Sequence, residues 1–153
     1  MNDQLGHDVE DISIGMTAYY GRTVTDADIV MFAGVSGDNN AVHTNQEFAE
    51  TTAFGGRIAH GMLSASFISA AVGTRLPGAG AIYLGQTLRF RAPVRPGDTV
   101  NTTVTVKSVD LQKARVVLET ICRVGTTVVI DGEAELLVTS SVRRLAKAKA
   151  AAA

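Results

Sequence analysis

GMLSASFISAAVGT, residues 61–74, is the stretch on which the fold turns. It is rich in Ala, Met and Leu, which favour helix, and it stops before Pro77-Gly78, a pair that cannot continue one. Its 14 residues predict a helix about 21 Å long. On a 3.6-residue period Gly61, Ala65, Ser69 and Val72 fall on one face, and Leu63, Phe67 and Ala70 on another. The small-residue face reads in two ways, as a groove that admits a thin apolar chain or as close packing against a curved sheet.

Beyond Gly80 the pattern changes to strands. Leu84, Leu88 and Phe90 mark one, ended by the APVRPGD turn. In the next, Val100, Thr102, Val104 and Val106 alternate with Asn101, Thr103, Thr105 and Lys107. A third sets Val116, Leu118, Cys122 and Val124 opposite Arg115, Glu119 and Arg123. A fourth is predicted over 127–142, with a bulge at Asp131-Gly132. Upstream, residues 16–24 read as a strand, and Thr25 with Asp28 as a capping box opening a helix that must stop at 34–37. Thr44 with Glu47 predicts a second capped, short helix carrying Phe48. The fold class is therefore α+β, an antiparallel sheet of about five strands around one long helix. Residues 1–12 read as a polar lead-in, 13–142 as a single domain, and 143–153 as a disordered Ala/Lys tail with no apolar stripe. Long strands leave unpaired edges, and pairing two sheets predicts a homodimer.

Composition narrows the function. The chain has 153 residues, enough for one core, and 46% are apolar. Fourteen basic against 15 acidic residues leave a net charge of -1, which argues against nucleic acid or an anionic membrane as partner. No apolar run reaches the length of a membrane span. The opening MNDQLGHDVEDISIG has no apolar signal core, and Cys122 has no second cysteine to pair with, which together predict a cytoplasmic protein.

Three polar features stand out. In SGDNNAVHTN, Asp38 and His43 flank a turn and can converge on one water for general acid–base work. Alternatively, Asp38 and Asn40 hydrogen-bond turn backbone, and His43 only enters a helix. Gly61 opens the long helix, where free N–H groups and the helix dipole suit an oxyanion and the missing Cβ permits close approach. Arg89, Arg91 and Arg95 could meet phosphates or form a solvated strand face. His7, His43 and His60 lack metal-ligand spacing, so no metal is expected, and His60 reads as a helix-entry or packing residue. Cys122 reads as a small core residue. GxSxG, P-loop and GxGxxG patterns are absent from the sequence.

DNNAVHTNQEFAETTAFGGRIAHGMLSASFIS followed by LPGAGAIYLGQTLRFRAPVRPGDTV resembles the MaoC-like family of (R)-specific enoyl-CoA hydratases, hotdog-fold proteins. Asp38, Asn40 and His43 match the family's Asp-x-Asn-Pro-x-His motif, with Ala41 in place of the proline. The resemblance implies reversible syn hydration of a trans-2-enoyl-CoA thioester, without metal or redox cofactor. It implies that Asp38 and His43 activate water and that the Gly61 N–H binds the thioester oxygen. Asn40, Ser69 and Val72 would contact substrate, the last two along the acyl chain. Acyl-carrier-protein dehydratases, hotdog thioesterases and non-catalytic acyl-CoA-binding modules are the rival readings. The resemblance leaves open whether the product feeds polyester synthesis, β-oxidation or another route.

Overall fold

The computed structural model describes residues 5–151. After a 3-10 turn, Val9–Asp11, the chain runs through β1 (Thr17–Thr23), α1 (Asp26–Ser36), α2 (Ala41–Thr44), α3 (Gln46–Glu50) and α4 (Gly61–Thr74). Strands β2 (Ile82–Phe90), β3 (Thr99–Asp110), β4 (Arg115–Val124) and β5 (Thr127–Leu137) follow, and α5 (Ser141–Ala151) closes the described chain. The five strands form one antiparallel sheet in the order β1-β3-β4-β5-β2. It packs on α4, the hotdog arrangement that the sequence suggests.

The predicted alternation is what lets the sheet grip the helix. Val100, Thr102, Val104 and Val106 of β3 and Val116, Leu118, Thr120 and Cys122 of β4 all point inward and are buried. Leu63, Phe67, Ile68, Ala71 and Val72 of α4 meet them in one core. Burial in this apolar setting pushes the Cys122 thiol pKa up, consistent with an inert packing residue. At the start of α1 both bonds of the predicted capping box form: Thr25 Oγ1 accepts from the Asp28 N–H at 3.1 Å, and Asp28 accepts from the Thr25 N–H at 2.9 Å. Hydrogen bonds from Thr25, helped by the Arg22 guanidinium, pull the Asp28 carboxyl from its ordinary 3.8 to about 2.

Several expectations shift. The cap of α3 is Asn45, not Thr44, because Thr44 is already in the helical turn α2 while Asn45 is extended and its Oδ1 accepts from the Phe48 N–H at 3.0 Å. Between β4 and β5 the register shifts near Val129 instead of at Asp131-Gly132. Gly132 has a different role, since a Cβ there would lie 1.8 Å from the Thr87 carbonyl oxygen of the adjoining strand. Strand β5 ends at Leu137, short of residue 142.

Both chain ends also differ from the expectation. Within the polar lead-in, Val9 and Ile12 are buried, because a 3-10 turn eclipses residues three apart and turns both inward. Residues 143–151 of the expected disordered tail continue α5 as an exposed helix. Its first turn is held by Glu10, which accepts from Ser140 and Ser141, and by the Asp8–Arg144 ion pair. Residues 1–4 of the lead-in and 152–153 of the tail lie outside the described residues. Among the described residues no helix is long and apolar enough to cross a membrane.

Candidate active site

The segment between α1 and α4 is built from short side-chain-to-backbone bonds. Gly37 ends α1 in the left-handed region, at φ 76°, where glycine carries no Cβ penalty. The chain then turns on Asp38, whose Oδ1 accepts from the Asn40 N–H at 3.2 Å, and on Asn40, whose Oδ1 accepts from the Val42 N–H at 3.2 Å. This double turn starts α2 and carries His43 inward, where it is 8% exposed. Its Nδ1 lies 2.8 Å from the Ile58 carbonyl oxygen. A carbonyl only accepts, so Nδ1 carries the ring proton and, in the neutral imidazole, Nε2 keeps a lone pair for proton transfer.

His60 precedes α4 as its N-cap and is 2% exposed. Its Nε2–H donates to the backbone carbonyl of Asp38 at 2.9 Å. Its ring lies on that of His43, with centroids 3.8 Å apart and planes tilted by 32°. One donor atom from each of Asp38, His43 and His60 lies within 4.8 Å of the other two. These are donor types that bind divalent ions, yet each imidazole already commits one nitrogen to a carbonyl and offers only the other.

A cavity of about 440 Å³ opens beside this cluster, with Asp38, His43, Gly61, Ser64, Phe90 and Arg91 in its wall. As the first residue of α4, Gly61 presents an N–H with no intrahelical acceptor. A Cβ at Gly61 would sit 2.7 Å from the half-exposed Phe90 ring, so a side chain there would have to push that ring aside. Arg91 is held to Asp131 by three hydrogen bonds of 2.9–3.2 Å, and this pairing lowers the Asp131 carboxyl. Arg89 and Arg95 are exposed, Arg95 donating to the Phe54 carbonyl at 2.5 Å.

The structure thus brings Asp38, His43 and Gly61 to one cavity. It leaves the other three predicted site residues outside the cavity wall. Asn40 is occupied in capping α2, Ser69 is exposed, and Val72 packs in the core. Ser69 and Val72 lie 80° and 20° from Gly61 on the wheel, so they do share a side, but the sheet covers only part of it. Sequence reasoning missed His60, Ser64 and Phe90 as site residues. The His60-Gly61 pair at the mouth of the long helix was the available signal for the first.

The sequence profile of the MaoC like domain matches residues 11–130. The chain is 53% identical over 137 residues to an (R)-specific enoyl-CoA hydratase of Rhodospirillum rubrum, covering 90% of this chain and 95% of that protein. It is 48% identical to a 3-hydroxybutyryl-CoA dehydratase of Methylorubrum extorquens, over 82% of this chain and 80% of the other. Among solved structures, an unliganded R-hydratase from Pseudomonas aeruginosa superposes with a TM-score of 0.84 at 43% identity, covering 89% of this chain and 88% of that one.

Proposed function

We infer the reaction from a premise the comparisons establish, that this chain belongs to the MaoC-like domain family. It is an (R)-specific enoyl-CoA hydratase, which adds water reversibly and syn across the double bond of a trans-2-enoyl-CoA to give the (R)-3-hydroxyacyl-CoA.

The observation that carries the mechanistic reading is the convergence of Asp38, His43 and the first N–H of α4 on one cavity. Asp38 and His43 hold a water between them. His43 Nε2, the nitrogen not tied to Ile58, accepts a proton as the water oxygen bonds to C3. The electron pair of the double bond moves toward the thioester carbonyl, and the Gly61 N–H together with the helix dipole stabilises the resulting enolate oxygen. C2 then takes a proton that originates in the same water, directly from His43 or through Asp38. The net change is OH at C3 and H at C2, with no electron gained or lost, so the reaction requires no redox cofactor.

The homodimer and the acyl seat belong to the same proposal. Strand β2 is a sheet edge with Ile82 56% and Phe90 53% exposed, a surface that a second copy would cover. A tail reaching the exposed Ser69 needs a second wall across that side of α4, which a partner subunit would supply. A cytoplasmic location accords with the single, buried, unpaired thiol.

The test follows enoyl absorbance on mixing the protein with crotonyl-CoA while free thiol is assayed in parallel. Loss of the conjugated thioester without thiol release, giving the (R) product on chiral analysis, is the expected result. Thiol release would instead assign a thioesterase.

A further inference from the structure

We propose that His60 is a positioning residue for hydration, one that ties the loop carrying Asp38 to the helix end carrying Gly61. The proposal rests on the hydratase reading, and it is carried by what the His60 side chain does instead of capping its own helix.

An N-cap position favours a short side chain whose oxygen accepts from the first helical N–H groups. His60 makes no such bond, although it is the N-cap of α4. Its ring turns away toward the Asp38 loop, where Nε2–H meets the Asp38 carbonyl at 2.9 Å across 22 residues of sequence. One face of the ring lies on His43, and Phe32 approaches it with centroids 5.0 Å apart. Through its backbone the same residue fixes where α4 begins, its carbonyl accepting from the N–H groups of Leu63 at 3.1 Å and Ser64 at 3.3 Å. Asp38 and His43 come from one turn-and-helix segment and Gly61 from another, and His60 touches or adjoins all three.

The arrangement also carries a cost. His60 Nδ1 is buried with no hydrogen-bond partner, and an unmade bond of this kind destabilises a fold. A residue kept only for packing would do better as a hydrocarbon ring of similar shape. Stability and turnover should therefore respond differently to the same change.

The experiment compares His60→Phe and His60→Gln with the parent protein, measuring kcat and KM on crotonyl-CoA and the melting temperature of each. Phenylalanine keeps a flat ring against His43 and Phe32 but cannot donate to Asp38. Glutamine can place an amide N–H near the position of Nε2. His60→Phe is expected to lower kcat about 10- to 100-fold, the scale set by small misplacements of reacting groups, with KM and melting temperature close to the parent. His60→Gln is expected to recover most of kcat. An unchanged kcat in His60→Phe would overturn the proposal. So would a loss of kcat in both variants that runs parallel to a loss of folding.

A second readout is independent of turnover. In ¹⁵N spectra the parent should show two slowly exchanging imidazole N–H protons, His43 Nδ1–H and His60 Nε2–H, and His60→Phe should retain the first. A parent protein that leaves crotonyl-CoA and longer enoyl thioesters untouched overturns the hydratase reading. In that event the N–H signals still decide the His60 link: two protected protons uphold it, and an unprotected His60 proton removes it.

Discussion

Strands β3 and β4 hold their places through Val100, Val104, Val106, Val116, Leu118 and Cys122, all buried against α4 and one another. Residues 37–60 hold Asp38 and His43 through a handful of directed bonds: Asp38 to Asn40, Asn40 to Val42, His43 to Ile58 and His60 to Asp38. The first region sums many weak, non-directional contacts, so one deletion is a graded loss of stability. The second depends on a few geometries, so one deletion can leave the fold intact and misplace a reacting group. The core and the site should therefore fail in different ways.

The largest effect that would break this contrast is expected in the core. Leu118→Ala should cost about 2–5 kcal/mol of stability on the scale of large-to-small core changes, with activity per folded molecule unchanged. Denaturant melts paired with kcat on the folded fraction check it, and a loss of specific activity would mean that core and site are coupled. Asp38→Asn should do the reverse. The amide oxygen can still accept from the Asn40 N–H, so the melt should hold while turnover drops about 10²-fold or more. Hydration near the parent rate would remove Asp38 from the chemistry.

Asp28 sharpens the contrast from outside both regions, in the capping box that joins β1 to α1. Its carboxyl is depressed to about 2 when folded, below its ordinary 3.8. The folded state thus binds fewer protons than the unfolded state across that window. The resulting stabilisation is present above about pH 4 and is lost as the pH falls toward 2. Asp28→Asn should lower stability at neutral pH by about 1–2 kcal/mol and flatten the acid limb of a melting-temperature profile. A limb of unchanged steepness would assign that loss to other carboxylates. The smallest and most selective effect is expected from Ser69→Leu. It should slow longer enoyl chains more than crotonyl-CoA, whereas an equal effect at every length would take Ser69 away from the acyl tail.

Most of the scaffold was legible in the sequence. The bounds of α4 follow from helix-forming composition and the Pro77-Gly78 stop, and the inward faces of β3 and β4 follow from strict alternation. The errors came where two local signals competed. Thr44 and Asn45 are both cap residues, and only the preceding turn of α2 decides between them. Asp131-Gly132 looked like a bulge because glycine also marks bulges, whereas here it admits the Thr87 carbonyl. At the candidate site, Asp38 and His43 stood out by residue type and the family motif, and Gly61 by opening the long helix; the structure brings the three to one cavity. Asn40 was readable only as one of two options, and the structure uses it as a cap.

Chemistry within a few neighbouring residues was enough for the α+β class, the long helix and the alternating strands, and it marked Asp38 and His43 as candidate proton carriers. Tertiary structure alone decided which nitrogen of His43 is free, since the Ile58 carbonyl 15 residues away takes the other. It alone turned His60 from a helix-entry residue into the link between Asp38 and Gly61, and it alone placed Ser69 outside the cavity wall. A periodic pattern records which face of an element is apolar, but not which distant carbonyl or ring will meet a side chain once the elements pack.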